Sequence, residues 1–274
     1  MAREDSRSIR NRMRMSIFRW VNRLLAKMWA LMPFRLVMVI VRTLLESQGF
    51  GAGARVGKSG EICAARSLLN LESDSEVVVL DIGANRGEYS ELLLNIFPKA
   101  EIHAFEPAAK TFKLLDTRLG DYANVSTYNF ALGNTDGTAH LYKENPIARI
   151  ASLTPLDITQ DHLTEEIAIR RLDSVFPTLN VEQIHLAKID VEGHEMDVLM
   201  GAEKVIRSGK IKNIQFELGE FSIDTRTTLK SFFTFFGDYQ YELFLIRPRS
   251  LYPLKQYRPL YEQYSTTNFV ACKK

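Results

Sequence analysis

The chain has 274 residues, of which 46% are apolar and 25% are charged, and this composition excludes an intrinsically disordered protein. The length suits one large α/β domain, alone or with an appendage. The net charge of +2 hides an asymmetry, because residues 1–45 carry ten Lys and Arg against two acids, whereas the remainder carries 25 basic and 31 acidic residues. A basic arm therefore precedes a mildly acidic body.

The cysteine and histidine content excludes two further classes. Cys63 and Cys272 are too few for a disulfide framework, and no C-x-x-C pair or i, i+4 histidine pair indicates a zinc site. Such cysteine usage is typical of a reducing compartment, so we predict a cytoplasmic protein.

The N-terminal arm, which we place at residues 1–50, contains a basic amphipathic helix. Apolar residues of the segment 17–32 fall on one helical stripe, and Arg19, Arg23 and Lys27 repeat on the opposite side. This pattern leaves two interpretations open for the arm: peripheral contact with the inner face of a membrane, or packing on the main domain or another subunit.

Arg35 interrupts the apolar stretch, so the pattern favours neither a secretory signal nor a transmembrane helix. Whether the arm meets a membrane or another subunit, we expect residues 13–45 to form the contact surface. Nucleic acid is not predicted as a partner, because no aromatic-interleaved basic patch continues into the body. The segment GFGAG at residues 49–53 indicates a linker to the second domain, residues 51–274.

From residue 77 onward, short β-branched runs alternate with helical periodicity. Predicted strands cover residues 77–80, 101–105, 125–130, 184–189, 211–218, 241–246 and 266–272. Predicted helices cover residues 88–97, 108–119, 195–208 and 225–236. Turn signals and short alternating runs between residues 134 and 173 indicate a hairpin and a loop that faces the active site.

This alternation predicts an α/β fold, with a doubly wound, Rossmann-like sheet that is mostly parallel and carries helices on both faces. The last strand follows a long connection without a clear crossover helix, so we expect it to run antiparallel. In such a sheet, ligands bind beyond the carboxyl ends of the strands. The polar residues at those ends are therefore the candidates for function.

The first predicted strand ends in the turn DIGANRG, residues 81–87, in which Gly83 and Gly87 allow a tight turn close to a ligand. The Gly-x-x-x-Gly spacing, with Asn85 between the glycines, departs from the dinucleotide fingerprint and argues against an NAD-dependent oxidoreductase. Asp81 would repel a pyrophosphate but suits a cation or an ammonium group. S-adenosylmethionine carries both a sulfonium and an ammonium, so we predict it as the cofactor.

Two further strand ends would complete the cofactor site. Glu106 ends the second predicted strand, where its two carboxylate oxygens can accept hydrogen bonds from both ribose hydroxyls. Ala131 and Leu132 follow the third strand and would line the adenine side, although ordinary core packing explains them equally well.

Five ionisable groups follow the fourth predicted strand in the segment KIDVEGHE, residues 188–195. A general base at this strand exit would face the methyl group that is transferred. The acceptor-side candidates in this segment are Lys188, Asp190, Glu192 and His194.

For the base we favour Asp190 or His194, with Lys188 or Arg149 orienting the acceptor. A divalent cation held by Asp190 and Glu217, at the tip of the next strand, is an alternative. With only two or three candidate oxygens, the sequence does not favour this metal site.

These segments together resemble the FkbM family of methyltransferases. The matching segments are LDIGANRGEYS (80–90), HAFEP (103–107), NFALGN (129–134), RLDSV (171–175), KIDVEGHEMDVLMGAE (188–203) and QFELGE (215–220). The resemblance implies a Rossmann-like methyltransferase that uses S-adenosylmethionine, usually on a hydroxyl of a sugar, glycan or secondary metabolite. It implies cofactor contacts for Asp81, Gly83, Asn85, Gly87 and Glu106, and acceptor-side roles for Asp190, Glu192 and His194.

The acceptor pocket is expected from residues 134–173, 221–227 and 248–264. The last segment carries tyrosines that suit either stacking on a sugar or the packing of a long loop: Tyr252, Tyr257, Tyr261 and Tyr264. A catalytically silent, methyltransferase-like scaffold tethered by the arm remains the alternative function.

Overall fold

The structure is a computed structural model, and it describes residues 16, 19–53, 59–69, 77–143, 151–153 and 163–274. The chain forms two compact units, Met1–Leu45 and Glu46–Lys274. Arg149 and much of the predicted loop between residues 134 and 173 lie outside the described residues.

The described part of the chain begins with two helices. Helix α1 contains residues 19–30, and α2 spans Phe34–Ser47. Pro33 separates them, as expected for a residue that cannot continue a helix but is tolerated just before one. Over the described residues, neither of these helices nor any other has the length and apolar character needed to cross a membrane.

The second unit contains two sheets. Their strands are β1 (Val78–Ile82), β2 (Glu101–Phe105), β3 (Val125–Tyr128), β4 (Ala131–Leu132), β5 (Gly137–Lys143), β6 (Ala151–Ser152), β7 (Leu163–Arg170), β8 (Ile184–Ile189), β9 (Ile211–Leu218), β10 (Tyr241–Arg247), β11 (Ser250–Pro253) and β12 (Thr267–Lys273). The larger sheet has the order β11-β10-β12-β9-β8-β1-β2-β3, and the smaller has the order β4-β7-β5-β6.

Helices follow most strands of the larger sheet. They are α3 (Glu61–Leu69), α4 (Glu88–Leu94), α5 (Ala109–Leu119), α6 (Leu172–Val175), α7 (Glu195–Gly201), α8 (Glu203–Arg207), α9 (Phe221–Asp224) and α10 (Leu229–Asp238). Strand β1 is almost wholly buried, as expected for a central parallel strand that is covered on both faces.

The strand directions confirm the predicted fold. Strands β3, β2, β1, β8 and β9 are mutually parallel, and β12 pairs antiparallel with both β9 and β10. The expectation of an antiparallel last strand is therefore confirmed. Ile82 at the end of β1 lies opposite Phe105 of β2 and Ile189 of β8, so the turns after these three strands meet at one edge of the sheet.

Two predicted helices have different limits in the structure. The predicted helix 195–208 is broken at Ala202, which adopts a non-helical conformation between α7 and α8. The predicted helix 225–236 begins only at Leu229, because the Thr228 side chain accepts a hydrogen bond from the Ser231 amide and caps the helix there.

The smaller sheet was not predicted as a unit. Strand β5 pairs antiparallel with β7, and β4 pairs with β7 in parallel, so the two strands on either side of the turn at residues 134–137 both pair with β7. Its buried residues Leu141, Ile167 and Ile169 pack with Ala108 at the start of α5. This sheet therefore adds an apolar wall beside the carboxyl end of β2.

Candidate active site

A cleft lies beyond the carboxyl ends of β1, β2 and β8. Eight of the predicted site residues line it: Gly83, Asn85, Glu106, Ala131, Leu132, Asp190, Glu192 and His194. The other predicted site residues, Asp81, Gly87, Lys188 and Glu217, do not line it.

The turn after β1 is held against the turn after β8. Gly83 has a φ of +80°, and a Cβ atom there would lie 1.9 Å from the carbonyl oxygen of Asp190. Only glycine fits this position, since the conformation and the contact both exclude a side chain. Gly87 serves packing instead, because a Cβ there would lie within 3.0 Å of Leu115 and Leu119 on α5.

The Glu106 carboxylate is fixed by backbone amides at the cleft. Its Oε1 accepts a hydrogen bond of 2.8 Å from the Ala108 amide, and its Oε2 accepts one of 3.1 Å from the Asn85 amide. Burial raises the pKa of Glu106 to about 7, although these two amides oppose the shift. The carboxyl group is therefore oriented by the loop backbone and titrates near neutral pH.

Asp81 has a different position from the one that its sequence context predicts. Its side chain is fully buried, its Oδ2 accepts a hydrogen bond of 2.6 Å from Ser90, and its Oδ1 lies 4.0 Å from Lys188 Nζ. Burial is the largest cause that raises its pKa. Asp81 therefore lies beneath the turn, where it interacts with Lys188 instead of the cleft.

Lys188 is a buried cation surrounded by acids. Its Nζ donates a hydrogen bond of 2.8 Å to Asp190 Oδ2 and lies 5.1 Å from the centre of the Tyr89 ring. Burial lowers the pKa of Lys188, but attraction by Asp190, Asp81 and Glu61 outweighs it, so the pKa is raised. Lys188 therefore stays charged and holds Asp190 in place at the cleft.

A second buried group, which the sequence did not single out, supports the same region from below. Glu61 of α3 accepts a hydrogen bond of 2.6 Å from Ser59 and one of 2.7 Å from Gln215 of β9. Gln215 in turn accepts a bond of 3.4 Å from the Tyr89 hydroxyl. No local motif marks Glu61, because its partners lie far away in the chain.

The turn after β8 is organised by Glu195. The Oε1 atom of this buried side chain accepts hydrogen bonds from the amides of Val191 and Gly193, at 3.1 and 3.2 Å. Between them Glu192 adopts a positive φ of 52° and faces the cleft. Burial and the nearby Asp190 raise the pKa of Glu192 to about 8. Glu192 is therefore largely protonated at neutral pH.

His194 forms a pair with Asp197 at the start of α7. Its Nδ1 lies 2.8 Å from Asp197 Oδ2, and Asp197 Oδ1 accepts a hydrogen bond of 2.7 Å from Asn134. A carboxylate accepts hydrogen bonds and does not donate them, so Nδ1 is the donor in this contact. Asp197 belongs to this site, although sequence reasoning did not select it.

Glu217 lies behind the cleft lining. Burial and three neighbouring acids, Asp190, Glu192 and Glu195, raise its pKa well above the usual value. Across the described residues, no group of three or more His, Cys, Asp and Glu side chains is arranged to hold a metal ion.

The opposite side of the cleft is apolar. It is formed by residues from β2, the segment after β3, and the smaller sheet: Phe105, Phe130, Ala131, Leu132, Leu141, Leu153 and Ile167. Ala131 and Leu132 thus belong to the cleft wall, and Leu132 also belongs to the main core. This wall suits a flat aromatic group.

The predicted acceptor segments contribute unequally. The smaller sheet, from the segment 134–173, reaches the cleft, whereas Tyr252 and Tyr261 line a separate surface depression. Tyr257 packs edge-on against Phe233 with ring centres 5.9 Å apart. Tyr257 therefore packs against α10, whereas Tyr252 and Tyr261 face a second depression.

The sequence has relatives among methyltransferases. Hexuronic acid methyltransferase AglP from Haloferax volcanii is 30% identical over 162 residues, which cover 58% of this chain and 64% of that protein. The 2-O-methyltransferase NoeI from Sinorhizobium fredii is 25% identical over 154 residues, which cover 52% of this chain and 63% of that protein. The chain thus spans less than two thirds of the length of these curated relatives.

The family comparison covers the cleft. Among solved structures, Methyltransferase FkbM from Methylobacillus flagellatus is 20% identical and has a TM-score of 0.44, over 75% of this chain and 46% of that one. The sequence profile of the Methyltransferase FkbM domain matches residues 81–243, which is more than half of the chain and includes every charged residue of the cleft. The chain belongs to the FkbM methyltransferase family, and it has a Rossmann-like fold.

Proposed function

We propose that this protein transfers a methyl group from S-adenosylmethionine to a hydroxyl of a sugar, a glycan or a related secondary metabolite. The observation that carries this proposal is that one cleft holds the amide-anchored Glu106 on one side and the His194–Asp197 pair on the other. The names of two relatives, one acting on a hexuronic acid and one at a 2-O position, support an oxygen acceptor on a sugar.

The cofactor side of the cleft fits an adenosine. Glu106, held by two backbone amides, offers a carboxyl group to the ribose hydroxyls, and its pKa of about 7 lets it donate as well as accept. The apolar wall that includes Phe130 and Leu132 would contact the adenine ring. When bound, S-adenosylmethionine supplies an electrophilic methyl group on a positively charged sulfur.

Asp190 is the acid that we assign to the positive end of the cofactor. It lines the cleft beside Gly83, whereas Asp81, which the sequence favoured for this role, is enclosed below it. Lys188 donates a hydrogen bond of 2.8 Å to the Asp190 carboxylate, which orients it toward the cleft. We therefore assign Asp190 to binding of the cofactor and not to proton transfer.

We assign the general base to His194. A sugar hydroxyl is a weak nucleophile at neutral pH, so its proton must leave as the new carbon–oxygen bond forms. His194 Nε2 accepts this proton, and the Asp197 carboxylate at 2.8 Å from Nδ1 stabilises the imidazolium that results. Glu192 is less suitable, because its raised pKa of about 8 leaves it protonated at neutral pH.

The proposal is tested in two steps with the purified full chain. Titration calorimetry with S-adenosylhomocysteine should show binding that Glu106→Gln weakens by about tenfold, as expected for a lost pair of ribose hydrogen bonds. S-adenosylhomocysteine release is then measured with free hexoses and hexuronic acids as acceptors, and product mass identifies the methylated species.

Methylated sugar that forms with wild type but not with His194→Ala supports the proposal. Failure to bind S-adenosylhomocysteine would indicate a catalytically silent scaffold, and fluorescence quenching of NADH on binding would indicate an oxidoreductase. Methyl transfer to amines of aminosugars but not to hydroxyls would contradict the oxygen acceptor.

A further inference from the structure

Helix α1 has two chemically distinct faces. At about 100° per residue, its apolar residues Trp20, Leu24, Met28, Val21, Leu25 and Trp29 cover one half of the helix. Its charged residues Arg19, Arg23 and Lys27 form one stripe on the other half. The two tryptophans lie nine positions apart and so stand at opposite edges of the apolar half.

The apolar face of α1 is exposed. Trp20 is 64% exposed, and Met28 and Trp29 are also largely accessible. Exposed apolar patches of this kind mark contact with a partner or a lipid surface. Tryptophan at the edges of such a face is typical of a helix that lies at a membrane–water interface.

Helix α2 repeats the pattern. Arg35, Arg42 and Glu46 fall on one narrow polar stripe, while large apolar side chains such as Phe34 and Val39 are exposed on the rest of the helix. Two successive amphipathic helices therefore present apolar faces and basic stripes within a segment of about 30 residues.

The basic charge of the arm indicates which kind of partner it contacts. Residues 1–45 carry ten basic residues and two acids, so two copies of the arm would repel each other. A lipid surface with anionic head groups offers the complementary charge, and each Lys or Arg near such a surface adds to the attraction. An apolar interior beneath that surface accepts the tryptophans and leucines.

We infer that residues 19–47 form an interfacial segment that lies on the surface of a membrane containing anionic lipids. The apolar faces of α1 and α2 enter the acyl boundary while Arg19, Arg23, Lys27, Arg35 and Arg42 meet head groups. This inference is independent of the proposed methyl transfer, because it uses no residue of the cleft.

The chain contains its own reporter for this contact. Its two tryptophans, Trp20 and Trp29, both lie in α1, so tryptophan emission reports on the arm alone. The full chain is mixed with vesicles of phosphatidylcholine, with or without phosphatidylglycerol. We expect a blue shift, reduced acrylamide quenching and co-flotation with the anionic vesicles, and at least about tenfold weaker partitioning to the neutral ones.

A matched pair of variants distinguishes the effect of the basic residues of α1 from the effect of basic residues elsewhere in the chain. Arg19→Glu/Arg23→Glu/Lys27→Glu should lose at least about tenfold in partitioning, with an unchanged far-UV circular dichroism spectrum and melting temperature as the check on folding. Lys113→Glu/Lys230→Glu/Lys255→Glu alters three exposed lysines of the second unit and should partition like wild type.

Several results would overturn the inference. One is equal partitioning to neutral and anionic vesicles, and another is an equal loss in both triple variants. A third is tryptophan emission that shifts with protein concentration in the absence of lipid, together with a dimer mass by light scattering. That last result would assign the apolar faces to a second copy of the chain.

Discussion

His194 Nδ1 lies 2.8 Å from Asp197 Oδ2, and the two residues are three positions apart at the start of helix α7. Asn134, in the segment after β4, donates a hydrogen bond of 2.7 Å to the other oxygen of the same carboxylate. The amide thus fixes the carboxylate, and the carboxylate fixes the imidazole. If His194 is the base that we propose, Asp197 is a positioning residue that acts on the acceptor through His194.

Replacing Asp197 by Asn should separate this role from cofactor binding. Asparagine keeps the shape but removes the charge that stabilises the imidazolium, so kcat should fall by about 100-fold or more while KM for the acceptor changes little. The S-adenosylhomocysteine affinity should stay within about twofold of wild type. The measurement is steady-state kinetics across pH, with calorimetry alongside.

Asp238→Asn, at the exposed end of α10, is the matched control and should leave kcat unchanged. A merely structural role for Asp197 would instead lower thermal stability and affect cofactor affinity and kcat together. Unchanged kcat in Asp197→Asn would remove the pair from the mechanism.

Gly83 should tolerate no side chain. Alanine there would place Cβ 1.9 Å from the Asp190 carbonyl oxygen at a φ of +80°, so both turns of the cleft must shift. We expect Gly83→Ala to lower the free energy of unfolding by about 2–4 kcal/mol and to weaken S-adenosylhomocysteine binding. Urea unfolding followed by far-UV circular dichroism measures the first effect.

Two other glycines provide control substitutions for this prediction. Gly209 has a similar φ of +74° but open space around a Cβ, so Gly209→Ala should cost only about 1 kcal/mol of backbone strain. Gly137 has neither constraint, and Gly137→Ala should change stability by less than about 0.5 kcal/mol. If all three variants lose equal stability, the contact with Asp190 is not what requires glycine at position 83.

The sequence predicted the parts of the site that local chemistry specifies. Glycine turns, strand-end acids and the alternation of strands and helices are local signals, and they located Gly83, Glu106, Asp190 and His194 at one edge of the sheet. Parallel strands bring their carboxyl ends together, so residues more than 100 positions apart were expected to meet.

The remaining features depend on contacts that no local pattern records. Asp81 occupies a strand end, as predicted, but its side chain lies on the buried face where Ser90 and Lys188 reach it. Glu61 meets Gln215 across 154 positions of sequence. The smaller sheet depends on the pairing of β4, β5 and β7. The alternation of apolar and polar residues in these strands is too short to predict which strands pair.

Glu192 should make stability depend on pH. Its pKa is raised from 4.5 to about 8 in the folded chain, so between these values the folded state holds a proton that the unfolded state releases. The folded state binds more protons, and stability from this group therefore falls as pH rises from about 4.5 to about 8. Glu192→Gln removes this dependence.

The variant should match wild type near pH 5, where both side chains are neutral, and exceed it in melting temperature at pH 8. Differential scanning calorimetry at pH 5, 6, 7 and 8 measures the difference. A constant difference for Glu192→Gln would contradict the burial-raised pKa.

Lys188 is expected to act through charge compensation beneath the cleft. Lys188→Met keeps much of the volume but leaves Asp81, Asp190 and Glu61 without their buried cation, and breaking such a cluster from one side costs about 3–5 kcal/mol. Lys113→Met, at an exposed position of α5, should change stability by less than about 0.5 kcal/mol. Urea unfolding at pH 7 compares the two variants.

The pH dependence of this loss identifies its cause. Buried acids that lack a cation can take up protons, so the deficit of Lys188→Met should be smaller at pH 5 than at pH 8. If Lys188 instead oriented the acceptor, the variant would unfold like wild type and show only a raised KM. Because Nζ already donates to Asp190 and lies over the Tyr89 ring, we expect the stability loss, with Asp190 released from its place at the cleft and cofactor affinity reduced as the consequence.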